Sequence, residues 1–140
     1  MSNGVIVKLN HELRDNIIDA CRRRLPNEAC GVVYGYRTSG VLIPDGFALV
    51  RNAAPNAKDT FVFDPAEWVA VCYEAQKNQR HIVGVFHSHP IGANAPSERD
   101  EQSLVPWDSY WIIGFASPEG DVAVYRHTDR GWITLPLVSA

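Results

Sequence analysis

The chain has few cysteines and no pattern among them. Cys21, Cys30 and Cys72 are odd in number, widely spaced, and form no Cys-x-x-Cys pair. That count argues against a disulfide framework and against a four-cysteine zinc site, and it predicts a reducing cytoplasm. Each thiol reads as a small buried hydrophobe rather than a nucleophile. No apolar run approaches the roughly 20 residues of a membrane-spanning helix. The opening Met1-Ser2-Asn3-Gly4 lacks the charged-then-apolar layout of a secretory signal. Charge of one sign is not concentrated either. The formal net charge is −3, acids and bases are interspersed, and no basic block offers a surface to nucleic acid. Repeats, linkers and low-complexity segments are also missing.

What is present is ordinary in bulk: 140 residues, 46% hydrophobic and 21% charged, enough for one globular domain over residues 1–140. Val5-Ile6-Val7 predicts a short strand. A helix follows, capped by Asn10, with Leu13, Ile17, Ile18, Cys21 and Leu25 at helical spacing and Pro26 as its stop. Residues 31–36 and 41–51 read as strands joined by a hairpin-like link at 37–40. A polar loop over 52–60 leads to the brief extended segment Phe61-Val62-Phe63. Asp64-Pro65-Ala66-Glu67 combines a cap, a proline at the first helical position and an acid at the third. The helix it opens is expected to bury Trp68, Val71, Cys72 and Ala75 and to end near Asn78. A strand over 82–87, a short helix opening at Ser97, and three extended stretches over 110–115, 122–127 and 132–137 complete the pattern. Helices and strands alternating early, with strands dominating late, predict a single α/β domain with a mixed sheet flanked by helices. Trp107 and Trp111 read as core.

The chemistry concentrates in one stretch. His87 and His89 close the apolar run Ile82-Val83-Gly84-Val85-Phe86. Side chains two apart on a strand point to the same face, so both imidazoles can converge on one point. After a loop containing proline and glycine, Asp100 can return to that point as a third ligand. Two neutral nitrogens and one carboxylate leave a fourth tetrahedral position for water, the layout of a catalytic zinc site. His11 and His127 lack such company and read as surface residues, His81 as the polar start of a strand. Ser97 and Asp100 also match a helix capping box, which alone accounts for both. The two readings are compatible, because a first-turn Asp100 still points towards the strand end. A metal-activated water needs a base for its proton and an acid for the leaving amine, and one carboxylate can serve as both in turn. Glu28, between a helix stop and an apolar strand, is the best placed, although capping a turn would equally explain it. Glu98 and Glu101 read as solvated first-turn charges.

Glu28 followed by Ala29-Cys30-Gly31-Val32-Val33-Tyr34-Gly35, then His-x-His-Pro, six residues, Ser, two residues and Asp, resembles the JAMM (MPN-plus) metallopeptidase signature. The resemblance covers the whole spaced motif, and the order of elements extends it over nearly the full chain. It implies a cytidine-deaminase-like MPN fold with Zn2+ bound by His87, His89 and Asp100. It also implies Glu28 as general acid/base, and Ser97 as a hydrogen-bond partner of the water or the developing oxyanion. The zinc-deaminase signature, His-x-Glu with Pro-Cys-x-x-Cys, is missing.

JAMM relatives cut peptide or isopeptide bonds after the C-terminal glycine of ubiquitin-like proteins, and compact bacterial members process small sulfur-carrier proteins. The resemblance thus implies a small ubiquitin-like or sulfur-carrier substrate. Its tail would enter as an extended strand and pair with an exposed sheet edge beside the metal. Residues 52–63 and 104–110 would frame that groove. Glu28-Ala29-Cys30-Gly31, the region from Asn52 to Pro65 and Ser97-Glu98-Arg99-Asp100 also resemble the JAMM portion of phage tail-assembly proteins, and a non-catalytic MPN interaction module with a structural zinc is the third alternative.

Overall fold

The computed structural model describes residues 5–97, 100 and 106–139. Among these, eight strands form one mixed sheet: β1 (Ile6–Leu9), β2 (Cys30–Thr38), β3 (Val41–Val50), β4 (His81–His89), β5 (Tyr110–Gly114), β6 (Asp121–Thr128), β7 (Gly131–Leu135) and β8 (Leu137–Ser139). Their order is β7-β6-β5-β4-β2-β3-β1-β8. Two helices, α1 (His11–Arg22) and α2 (Pro65–Lys77), pack on opposite faces. This is the α/β architecture with a mixed sheet that the pattern predicts. The short helix expected at Ser97 lies mostly outside the described residues, as do Glu98, Glu101 and Leu104; Asp100 itself is helical.

α1 begins where the Asn10 side chain accepts the Leu13 N–H at 2.7 Å, and it buries Leu13, Ile17, Ile18 and Cys21. Leu25, expected on the same stripe, lies beyond the helix and is 38% exposed. A residue before proline is pushed out of the helical region. The backbone accordingly winds down through Arg24 N–H to Cys21 C=O and Leu25 N–H to Arg22 C=O.

α2 starts as the sequence predicts, with Asp64 accepting the Glu67 N–H and Pro65 at the first helical position. Of its four expected core residues only Ala75 is fully buried; Trp68, Val71 and Cys72 are half-buried. The helix meets the sheet chiefly across β3 and β4, so Val69 and Tyr73 stay exposed.

β2 and β3 are joined by a two-residue turn in which Ser39 and Gly40 both have positive φ (49° and 79°). That geometry matches the twist of the paired strands. The last predicted strand divides in two at Pro136, which cannot donate to a ladder. β7 stays on β6, whereas β8 pairs with β1 at the far end of the strand order. With one residue between them, the sheet must curl until its two edges converge at Pro136.

Candidate metal centre

Alternation along β4 sends Phe86 into the core under α1 and puts Val85, His87 and His89 on the face that carries α2. The strand is held on both sides. Cys30 of β2 lies opposite His87, while Ile112 and Gly114 of β5 lie opposite His87 and His89. The imidazole pair therefore projects from mid-sheet rather than from a loop, and Asp100 joins it from the β4–β5 connection.

The three side chains converge. His87 Nε2 lies 3.0 Å from Asp100 Oδ1, His89 Nε2 lies 3.3 Å from Asp100 Oδ2, and the two Nε2 atoms are 3.2 Å apart. Tetrahedral bonds of about 2.0–2.1 Å separate ligand atoms by roughly 3.3 Å, so these residues fit a small divalent cation such as zinc. Among the described residues no other set of three His, Cys, Asp or Glu side chains converges in this way.

Surrounding groups fix both rings. His89 Nδ1 lies 2.8 Å from the Ala93 carbonyl; an N–H there donates to it and leaves Nε2 its lone pair for a metal. The His87 ring stacks on Phe61, with centroids 4.6 Å apart and planes 21° from parallel. Burial pushes the His87 pKa below its ordinary value, overriding the nearby Asp100. Burial pushes His89 the same way, but hydrogen bonds to Asp100 and Ala93 and the Asp100 and Glu28 charges carry it above normal. Burial would raise Asp100, yet hydrogen bonds from both histidines and from the Ser97 N–H hold it well below the carboxylate range. A neutral His87 and an ionised Asp100 are the ligand forms a metal needs.

Ser97 and Asp100 form a reciprocal pair. The Ser97 N–H donates to Asp100 Oδ2 at 2.8 Å, and the Asp100 N–H donates to Ser97 Oγ at 3.1 Å. The capping arrangement is therefore present, and it orients the very carboxylate that faces the histidines. Glu28 is buried two residues before β2. The Ser88 N–H donates to the Ala29 carbonyl at 3.0 Å and the Ala29 N–H to Ser88 Oγ at 2.8 Å. Continuing that antiparallel register sets Glu28 beside His89.

A cavity of about 490 Å³ opens against His87 and Asp100. Phe61, Phe63, Trp68, Trp107, Tyr110 and Ile112 line it, so both segments expected to frame a groove contribute. Trp111 is core, as predicted, and Trp107 is half-buried, packed against the core on the α2 face while also lining the cavity. His11 and His81 are exposed. His127, expected at the surface, is half-buried edge-on against Trp132 at 4.8 Å, because β6 and β7 pair the two residues directly. Sequence reasoning passed over Phe61, Ser88 and Asn52, whose signals (an aromatic beside a polar loop, a small residue between histidines, a loop asparagine) have commoner explanations.

Residues 10–127 match the family described as prokaryotic homologs of the JAB domain. A desampylase of Pyrococcus furiosus is 29% identical over 86 residues, which is 61% of this chain and 58% of that protein. A desampylase of Haloferax volcanii is 28% identical over 129 residues, covering 87% and 88% of the two chains. The tail tip assembly protein K of Escherichia phage N15 is 29% identical over 134 residues, 90% of this chain and 47% of that protein. The solution structure of a protein from Desulfitobacterium hafniense superposes with a TM-score of 0.86 at 26% identity, covering 96% of this chain and 93% of that one. One from Salinibacter ruber gives 0.71 at 21% identity over 95% and 91%, a likeness of fold.

Proposed function

Because the chain belongs to the prokaryotic homologs of the JAB domain, within the JAMM/MPN family, we propose that it is a zinc-dependent peptidase or isopeptidase. Its substrate would be a small ubiquitin-like or sulfur-carrier protein, cut after the C-terminal glycine. The convergence of His87, His89 and Asp100 at 3.0–3.3 Å beside a buried Glu28 carries this reading. The two desampylase relatives support the substrate class.

His87, His89 and Asp100 would hold the zinc, which would supply Lewis acidity and lower the pKa of a water to about 7. Glu28 would serve as the base for the attacking water and then as the acid for the departing amine. Ser97 Oγ accepts from the Asp100 backbone, which leaves its O–H to donate to the developing oxyanion. Removing one such donor typically costs roughly 3 kcal/mol. Cys21 and Cys30 are not nucleophiles: burial pushes both up to about 12, and they stay protonated. The apolar cavity shields the reacting bond and takes neighbouring substrate side chains. Three free thiols suit work in a reducing cytoplasm.

The test is cleavage of fusions that place a ubiquitin-like protein before a reporter. Chelation should abolish the activity and zinc restore it. Glu28→Gln should bind zinc as the parent does and lose turnover by about 10²–10⁴-fold. Normal turnover in that variant would remove Glu28 from the mechanism. Loss of zinc from it would make Glu28 structural. The tail tip relative favours a second reading, in which the same centre is a phage-tail-type JAMM peptidase that cuts peptides other than ubiquitin-like tails. Zinc-loaded protein that ignores every ubiquitin-like fusion but cuts such a peptide would establish it.

A further inference from the structure

We propose that Asn52 is a positioning residue for Glu28, a role that rests on the hydrolytic reading above. Asn52 stands just past β3, half-buried between the Glu28 turn and the segment 53–63. All four hydrogen-bonding capacities of its amide are used. Nδ2 donates to the carbonyls of Glu28 and Thr60, each at 3.0 Å. Oδ1 accepts the N–H groups of Ala54 at 3.0 Å and Val62 at 3.1 Å. Only Asn and Gln carry two donors and two acceptors on one plane, and Gln is a methylene longer.

The two halves of the amide hold different things. The oxygen organises the loop on which Phe61 stacks against His87. The nitrogen ties that loop to the backbone of Glu28. The rest of that backbone is pinned as well. The Glu28 N–H donates to Ala57 C=O at 2.7 Å, and the following N–H, of Ala29, donates to Ser88 Oγ, between the two histidines. Asn52 therefore sets the base, the loop and the ring packed on a metal ligand relative to one another. Misplacing a reacting group by about 1 Å can cost on the order of 10²-fold in rate.

Asn52→Asp separates the halves, because a carboxylate keeps the acceptors and loses both donors. In the metal-free protein, amide exchange at Glu28 and Ala29 should quicken at least tenfold while Val62 and the β4 amides stay protected. Asn52→Ala should release Val62 as well. With cobalt as the probe metal, the visible spectrum of Asn52→Asp should match the parent. Its kcat should fall about 100-fold with KM within threefold. In a Glu28→Gln background the same change should lower residual turnover by no more than twofold, since a residue acting through Glu28 has nothing left to position. Unchanged exchange at Glu28, unchanged turnover, an altered cobalt spectrum, or an equal loss in both backgrounds would each overturn the proposal. Parent protein inert on every fusion would sink the ubiquitin-like substrate reading instead, and exchange at Glu28 would still decide whether Asn52 clamps it.

Discussion

A methyl group added at Gly114 should weaken metal binding without touching a ligand. Gly114 lies opposite His89, and its missing Cβ is where the backbone of the Ala93–Asn94 loop passes. A built Cβ would sit 2.6 Å from Asn94 N and 2.8 Å from the Ala93 carbonyl carbon. Ordinary contact begins at 3.4 Å, so the loop must withdraw by about 0.8 Å. Backbone cannot rotate aside as a long side chain can, and the Tyr125 hydroxyl also holds this loop, donating to Asn94 C=O at 2.7 Å. A shift of that size directed away from His89 stretches the His89 Nδ1 to Ala93 C=O bond from 2.8 Å to about 3.6 Å, beyond hydrogen-bonding range. Losing such an outer partner typically costs about 10–100-fold in metal affinity. Zinc titration against a chromophoric chelator reads this directly. Gly92→Ala is the control: it lies in the same loop, but its Cβ would meet only the His89 side chain at 3.5 Å or more. Gly114→Ala binding zinc within twofold of the parent, or Gly92→Ala losing as much, would refute the argument.

Three other changes test other parts of the structure. At pH 8 iodoacetamide should label Cys72 first, because it is half-buried on α2 while burial pushes Cys21 and Cys30 up to about 12; equal labelling on mass analysis would contradict the packing. Those two raised thiols add stability fully present below the ordinary value of 9.0 and lost as pH climbs from there towards 12, so denaturant midpoints should fall across that window. Asn10→Ala should cost about 1 kcal/mol of stability, seen as a Tm lower by roughly 3–4 °C with zinc affinity unchanged.

How far the site could be read in the sequence depended on how local its causes are. The shared face of His87 and His89 follows from the period of a single strand, and the Asn10 and Asp64 caps need only three following residues. Asp100 was visible because a candidate ligand and a capping acid share one short spacing, and the capping bonds are present. By contrast, the Ser88 hydroxyl meets Ala29 across 59 positions and the Asn52 amide meets Glu28 across 24. No periodicity encodes such pairings, since sheet order creates them. The buried place of Glu28 is legible as a strand start, but its nearness to His89 arises only when β2 lies against β4. The errors at Leu25 and at residues 132–137 share one origin. In each, a proline overrode an apolar pattern that would otherwise have run on.

The convergence of β7 and β8 at Pro136 has a further consequence. A sheet whose outermost strands turn towards each other offers little open ladder for another chain to extend, which protects against edge-to-edge aggregation. Both outermost strands also stand far from the one that bears the imidazoles, at least two strands intervening on either side. Neither outermost strand therefore offers its ladder beside His87 and His89.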